Sequence, residues 1–193
     1  MIKPILKPLF LVMTLAFVAS SIIGCLVVEE MRFRFEFDGE NRNSGKFEIV
    51  YYGIKSTESE KDEIVEDYNN LPQQISREEE DLRKYGLTPK ETEIKVEDRE
   101  KLSLYLKGVF RKENIFNKEH SLFLENNEEV FSIAGIEKRW KWKFRSNGRL
   151  IETEKNIILV WPSSTRILEW TILLGEYTNL PNNLTAIYLK DKK

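Results

Sequence analysis

The fold is decided by the stretch Met31-Arg32-Phe33-Arg34-Phe35-Glu36-Phe37-Asp38. Phenylalanine and charged residues alternate through it with a period of two, which is typical of a strand with one face in a core and the other in water. A polar, glycine-containing stretch follows from Asp38 to Gly45, and residues 47–54 then form a second apolar segment. The sequence therefore predicts an antiparallel hairpin with a long connection.

The period changes to that of helices between Thr57 and Leu87. Apolar residues recur there at intervals of three and four, namely Ile64, Val65, Tyr68, Leu71, Leu82 and Tyr85. Pro72 separates the two groups, and proline is unfavourable inside a helix because it lacks an N–H and its ring crowds the preceding turn. We therefore predict two short amphipathic helices, packed on one face of a sheet.

Alternation at period two returns from Glu91 to the end of the chain. The predicted strands contain Ile94 and Val96, then Leu102 to Leu106, Leu122 to Leu124, Val130 to Ile133, Arg139 to Arg145, Leu150 to Thr153, Ile157 to Trp161, Ile167 to Leu174 and Leu184 to Leu189. Asn126-Asn127 and Ser146-Asn147-Gly148 are predicted hairpin turns. Many strands around one pair of helices, without βαβ alternation, indicate an α+β fold with a mainly antiparallel sheet. We expect residues 31–193 to form a single domain of this class.

Residues 1–24 have the organisation of an export signal. Lys3 and Lys7 precede an uncharged apolar run from Leu9 to Ile23, which is shorter than the ~20 residues that span a bilayer. The run ends in Ile22-Ile23-Gly24-Cys25, which matches the lipobox of bacterial lipoproteins. We predict cleavage between Gly24 and Cys25, which leaves the cysteine as an N-terminus carrying acyl chains such as palmitate.

The predicted lipid anchor on Cys25 indicates the cellular location of the protein. Cys25 is the only cysteine, so it has no disulfide partner within the chain and acylation explains it best. We expect attachment to a membrane of the cell envelope on its extracytoplasmic side. Leu26 is not the aspartate that often retains lipoproteins in an inner membrane, which favours the outer membrane where the organism has one. Residues 25–30 are predicted to be a short lipidated tether that reaches at most ~17 Å.

The order of these elements resembles the LppM-like domain of bacterial lipoproteins. The features that carry the resemblance are the lipid-acceptor Cys25 followed at once by a strand, a glycine-containing turn and a second strand, then a helical section, Ser146-Asn147-Gly148 and a late Ile158-Leu159-Val160-Trp161. The resemblance spans about residues 25–175. It implies an α+β domain of lipid-binding character and brings no catalytic residues with it.

The residue inventory argues against most enzymes. His120 is the only histidine and Cys25 is assigned to lipidation, so sites rich in histidine or thiolate are excluded. The chain lacks GxSxG, P-loop and GxGxxG motifs. Acidic pairs are candidates for a glycosidase by residue type alone, and they are Asp38, Glu40 and Glu78-Glu79-Glu80-Asp81. We predict no enzymatic activity, no cofactor and no metal site.

The charge of the chain bears on its partners. Without residues 1–24 the chain has 28 basic and 32 acidic residues, a net charge of −4. Nucleic acid attracts basic surfaces, so we expect no nucleic-acid partner.

One predicted strand combines aromatic and basic residues. At period two its aromatic residues share one face and its basic residues the other, and these are Trp140, Trp142 and Phe144 against Arg139, Lys141, Lys143 and Arg145. An aromatic row in the core with a solvated basic back is the common arrangement of a half-buried strand. The functional alternative is an apolar groove for acyl chains beside cations that meet anionic head groups.

Three functions remain open at this stage. The leading hypothesis is a non-enzymatic, membrane-anchored lipoprotein whose domain binds a lipid or another amphipathic envelope molecule through these residues. The main alternative is an envelope-assembly or surface-adhesion protein that binds another protein. A weaker alternative is a carbohydrate-active enzyme. A lipid site needs a hollow lined by aromatic residues, whereas a protein partner needs a solid core and an accessible surface.

Overall fold

The computed structural model describes residues 26–115, 122–134, 142–153 and 156–192, with only the backbone of residues 122–124, 133–134 and 176. Within these residues the strands are β1 Leu26–Val27, β2 Glu30–Phe37, β3 Ser44–Tyr52, β4 Lys55–Ser56, β5 Leu87–Glu97, β6 Lys101–Arg111, β7 Leu122–Glu125, β8 Glu128–Ala134, β9 Trp142–Ser146, β10 Arg149–Glu152, β11 Asn156–Pro162 and β12 Ile167–Leu174. The α-helices are α1 Lys61–Lys84, α2 Lys112–Ile115 and α3 Asn183–Asp191, and Gly175–Tyr177 forms a 3-10 turn. All described strand pairs are antiparallel. The predicted α+β class with mainly antiparallel sheet is confirmed.

The larger of the sheets has six strands in the order β5-β6-β3-β2-β12-β9. The predicted first hairpin is β2 with β3, in which Phe33 pairs with Ile49 and Phe35 with Phe47. One face of this sheet is apolar and forms the floor of the core. The rings of Phe33 and Phe35 both stack on Trp170 of β12, at centroid distances of 4.9 and 5.4 Å.

Helix α1 covers part of this apolar face and corrects the prediction of two short helices. It runs as one helix from Lys61 to Lys84 with Pro72 inside it. Leu71, Ile75 and Leu82 keep helical spacing across the proline and are all buried, while Pro72 itself is exposed. Burial of each large apolar side chain contributes about 1.5–3 kcal/mol, so a continuous buried face outweighs the ~3 kcal/mol cost of an internal proline.

A second sheet of four strands, in the order β10-β11-β8-β7, covers the rest of the core with Phe131, Leu159 and Trp161. Asn126 and Asn127 join β7 to β8 with φ of 49° and 64°, which confirms the predicted turn. The predicted hairpin at 146–148 is wrong, because β9 lies in the large sheet and β10 in the small one. At this crossover an added Cβ on Gly148 would lie 2.5 Å from Trp161 Nε1, so the close approach requires glycine.

The predicted strand from Leu184 to Leu189 is also wrong, since this segment lies in α3. Leu184 is fully buried and Tyr188, four residues later, is half-buried, which is the spacing of a helix face. The Asn183 amide holds the start of the helix by bonding the backbone N and O of Ser56, each at 3.0 Å. The described helices are too short or too polar to span a bilayer.

The start of the described chain corrects the expected tether. Leu26 pairs with Ser56 in β1–β4, and the backbone N–H of Glu29 donates to Tyr52 O at 3.0 Å. Leu26 is 6% exposed and Val28 is 1% exposed. Residues 26–30 are therefore part of the folded body, because burying two large apolar side chains holds them there. The predicted signal peptide 1–24 and Cys25 lie outside the described residues.

Candidate functional site

The predicted aromatic and basic strand contributes its aromatic side to the core. Phe144 in β9 is buried, and Trp142 is half-buried against the same cluster. Lys143 and Arg145 are exposed on the opposite side. The remaining predicted residues of this strand, Arg139, Trp140 and Lys141, lie outside the described residues, as does His120.

Between the large sheet and α1 the described fold contains a small cavity of about 30 Å³. The cavity is lined by Phe33, Phe35, Ile49, Tyr51, Glu78, Leu82, Leu87, Ile115, Phe131 and Trp170. Sites for drug-sized molecules usually have about 300–1,000 Å³, so this cavity has no room for an acyl chain.

Glu78 is a buried carboxyl group on the wall of this cavity, and it accepts a hydrogen bond from the Tyr51 hydroxyl. Burial raises the pKa of Glu78 to about 7, and the negative charge of Asp81 adds to this although the Tyr51 hydrogen bond acts the other way. Burial also raises the pKa of Tyr51 well above its usual value. Glu78 lies four residues before Leu82, on the helix face that the apolar period predicts to be buried, but its residue type gave no sign that it is buried.

The other acidic candidates lie on surfaces. Glu79 pairs with Arg83 at 3.1 Å along α1, and Glu80 and Asp81 pair with Lys84 at 3.1 and 2.9 Å. Asp38 and Glu40 are exposed in the β2–β3 connection. Among the described residues there is no group of three or more side chains placed to hold a metal ion.

The face of the large sheet that points away from the core carries an alternating row of charges. Along the row, the residues opposite one another on five neighbouring strands are Glu91, Lys107, Glu48, Arg34 and Glu169. Arg34 forms ion pairs with Glu169 and with Glu36, the latter at 3.2 Å. Lys107 Nζ lies 3.5 Å from Glu48 Oε2. We call this surface the outer face, and its outward positions follow from the alternation that the sequence predicts for β2 and β3.

Tyrosines add flat apolar area to the outer face. The amino groups of Lys95 and Lys107 lie 5.0 and 5.9 Å from the ring centroid of Tyr105. Partial burial, together with a hydrogen bond to Glu97, raises the pKa of Tyr105 to about 12, so this hydroxyl remains a donor at neutral pH. The sequence signal for Tyr105 was its position between Leu104 and Leu106, which places it on the polar side of β6.

Two depressions lie on the outer face, and Arg34 and Glu48 border both. The larger has a volume of about 410 Å³ and is lined by Arg34, Glu36, Lys46, Phe47, Glu48, Lys90, Glu91, Lys107, Gly108 and Val109. The smaller has about 340 Å³ and is lined by Arg32, Phe33, Arg34, Glu48, Val50, Tyr105, Glu169, Trp170 and Thr171. Each is more than ten times larger than the cavity between the large sheet and α1.

Buried ion pairs hold the ends of the sheet, and nothing in the sequence pattern predicted them. Lys55 is 1% exposed and its amino group lies 2.6 Å from Glu29, which also pairs with Lys101 at 2.7 Å. Burial alone would raise the pKa of Glu29, but hydrogen bonds from Lys101 and Lys55 lower it overall. At the other end, Glu129 is fully buried between Arg42 and Lys112, at 2.8 and 2.9 Å. These pairs fix structure rather than form a site open to a ligand.

Comparison with family models, with curated proteins and with solved structures finds no match. The resemblance to LppM-like domains therefore remains a prediction from the sequence. The outer face is the candidate site that the geometry itself supplies.

Proposed function

We propose that this protein is a non-enzymatic, lipid-anchored component of the bacterial cell envelope whose domain binds another protein through the outer face. The observation that carries the proposal is the contrast in volume between the cavity beneath α1, with about 30 Å³, and the outer face, with depressions of about 410 and 340 Å³. Depressions of this size on a charged surface offer a protein partner contacts that the small cavity does not.

The anchor is the second part of the proposal. Cys25 closes the lipobox pattern, and two or three acyl chains hold a protein stably at a membrane. Leu26, directly after the cysteine, is buried and pairs with Ser56. The acyl chains would therefore hold the domain close to the bilayer and in a restricted orientation, with the strands of the large sheet free to present the outer face to a neighbour.

The lipid-binding hypothesis stays a prediction beside this one. Phe144 and Trp142 pack with the core and take up the aromatic area that the hypothesis assigned to acyl chains. Trp140 lies outside the described residues. We therefore prefer the protein partner that the sequence left as the main alternative.

A photo-crosslinking amino acid at position 107, on the outer face, tests the proposal in cells that make the full chain. The matched control has the same amino acid at position 77, because Arg77 is exposed on α1. We expect a defined protein adduct from position 107 that position 77 does not give. Equal adducts from both positions, or none from either, would contradict the proposal, and adducts to phospholipid alone from position 107 would favour lipid binding.

A further inference from the structure

We infer that the larger depression of the outer face binds an acidic peptide segment that carries one apolar side chain among its carboxylates. This inference rests on the proposed function and names the chemistry of the partner. It is carried by two lysines that form no ion pair among the described residues, by one exposed valine and by the balance of charge in the lining.

Two exposed lysines line the larger depression, and they are Lys46 in β3 and Lys90 in β5. Neither forms an ion pair with a carboxylate within the described part of the chain, whereas Lys107 and Arg34 in the same lining do. Two such cations in one depression can each accept a carboxylate from another molecule without breaking a pair described here.

The valine lies beside one of these lysines. Val109 is 41% exposed and is the residue opposite Lys46 across β3 and β6. Most apolar side chains of the large sheet are buried on its other face. An exposed valine among the charged residues of this depression is therefore unusual. An aliphatic side chain of the partner would cover it and lose contact with water.

The balance of charge favours an acidic segment. Four cations line the depression, Arg34, Lys46, Lys90 and Lys107, against the three carboxylates Glu36, Glu48 and Glu91. This surplus of positive charge occurs in a chain whose formal net charge is −2. Complementary charge speeds encounter and sets the register of a bound segment, so an acidic sequence is the complementary partner here.

The backbone of β5 disfavours the addition of a peptide as a further strand at this edge of the sheet. The register of β5 against β6 shifts between Pro89 and Glu91, and Lys90 lies at this irregularity. Proline and a bulge both weaken strand addition at an edge. We therefore place the peptide over the depression through its side chains, and not as an extra strand beside β5.

Fluorescence anisotropy with two labelled peptides tests the inference. The probe is Glu-Glu-Leu-Glu-Glu, the control probe is Lys-Lys-Leu-Lys-Lys, and the protein is the full chain in non-ionic detergent. We expect the acidic probe to bind and the basic probe not to bind. Affinity for the acidic probe should fall when NaCl is raised from about 0.05 M to about 0.5 M, because salt screens exposed charge pairs.

Two double variants locate the site. Lys46→Glu with Lys90→Glu should weaken binding of the acidic probe by about tenfold or more, since it replaces two attractions by two repulsions. Lys143→Glu with Arg145→Glu makes the same change of charge on exposed residues of β9, outside the depression, and should change the affinity by less than about threefold. Thermal unfolding of each variant checks that the fold is kept.

The outcomes separate this inference from the proposed function. An equal loss in both double variants, or full affinity in Lys46→Glu with Lys90→Glu, would overturn the inference. If the acidic probe fails while position 107 still crosslinks a protein, the proposed function stands and the acidic peptide is wrong. If the acidic probe does not bind and position 107 crosslinks no protein, both the inference and the proposed function are wrong.

Discussion

The indole N–H of Trp161 donates to the side-chain oxygen of Asn147 at 2.8 Å, and this bond joins the two sheets of the fold. Trp161 belongs to β11 in the small sheet. The same oxygen of Asn147 accepts from the backbone N–H of Glu169 at 2.9 Å, in β12 of the large sheet. One amide therefore satisfies a buried indole in one layer and a strand in the other, at the point where the chain crosses between them.

Replacement of this amide should destabilise the fold. Asn147→Ala leaves the Trp161 N–H without its partner in a buried position, and we expect a loss of about 2–3 kcal/mol in the free energy of unfolding. Urea denaturation measures the loss. Ser164→Ala, in the exposed turn that follows β11, is the control and should change stability by less than about 0.5 kcal/mol. A value for Asn147→Ala within the range of this control would show that the bond does not join the sheets energetically.

Substitution of Glu129 should destabilise the fold far more than substitution of its neighbour Glu128. Glu129→Gln removes the buried charge that pairs with Arg42 and Lys112, and breaking one partner of a buried pair costs about 3–5 kcal/mol. Glu128 is part of an exposed, long pair with Arg149 at 3.5 Å, so Glu128→Gln should cost less than about 1 kcal/mol. Chemical denaturation of both variants tests this, and similar losses would contradict the burial argument.

Stability should depend on pH through Glu78. Its pKa in the folded protein is about 7, above the value of about 4.3 in an unfolded chain, so between these values the folded protein holds a proton that the unfolded chain has released. The stabilisation is fully present below about pH 4.3 and is lost as pH rises through 7, a change of about 4 kcal/mol.

Glu78→Gln removes this titration and serves as the test. Thermal unfolding midpoints of the wild-type chain should fall relative to those of Glu78→Gln between about pH 5 and pH 8. Tyr51→Phe removes the hydrogen bond that lowers the pKa of Glu78, so in this variant the fall should occur at higher pH. Parallel curves for all three proteins would show that Glu78 does not titrate in this range.

Cys25→Ser tests the anchor. Without the thiol there is no acceptor for acyl chains, so the variant should incorporate no labelled palmitate. Ser21→Ala, within the signal, leaves the acceptor in place and should incorporate the label as the wild-type chain does. Labelled palmitate on Cys25→Ser would refute the assignment.

The sequence predicted the strands of the large sheet well, because alternation reports directly which side chains are buried. Phe33 and Phe35 are inward and Arg32 and Arg34 outward in both the pattern and the structure. The pattern failed at Pro72, because it reported a local penalty and could not weigh the packing of residues on both sides against it. It failed at Ser146-Asn147-Gly148 because turn residues report a change of direction and not the sheet to which the next strand belongs.

The candidate site was predictable only in part. Lys46 and Tyr105 occupy polar positions of alternating segments, so their outward direction followed from the sequence. The depression did not follow, since it depends on which strands are neighbours and on the irregularity at Lys90. Buried charges such as Glu129 and Lys55 were missed because a partner distant in the chain, and not the local pattern, makes their burial favourable.

The pairing of Leu26 with Ser56 limits how far the larger depression can lie from a membrane that holds the proposed anchor. From Tyr52, at the end of the large sheet near Leu26, β3 runs to Lys46 over six residues, or about 20 Å. If the proposed acyl chains on Cys25 hold that end at a bilayer, the larger depression would lie at most about 20 Å above the membrane surface. A membrane neighbour with only short loops would pass beneath it, whereas a partner with a folded domain of its own would meet it at that level.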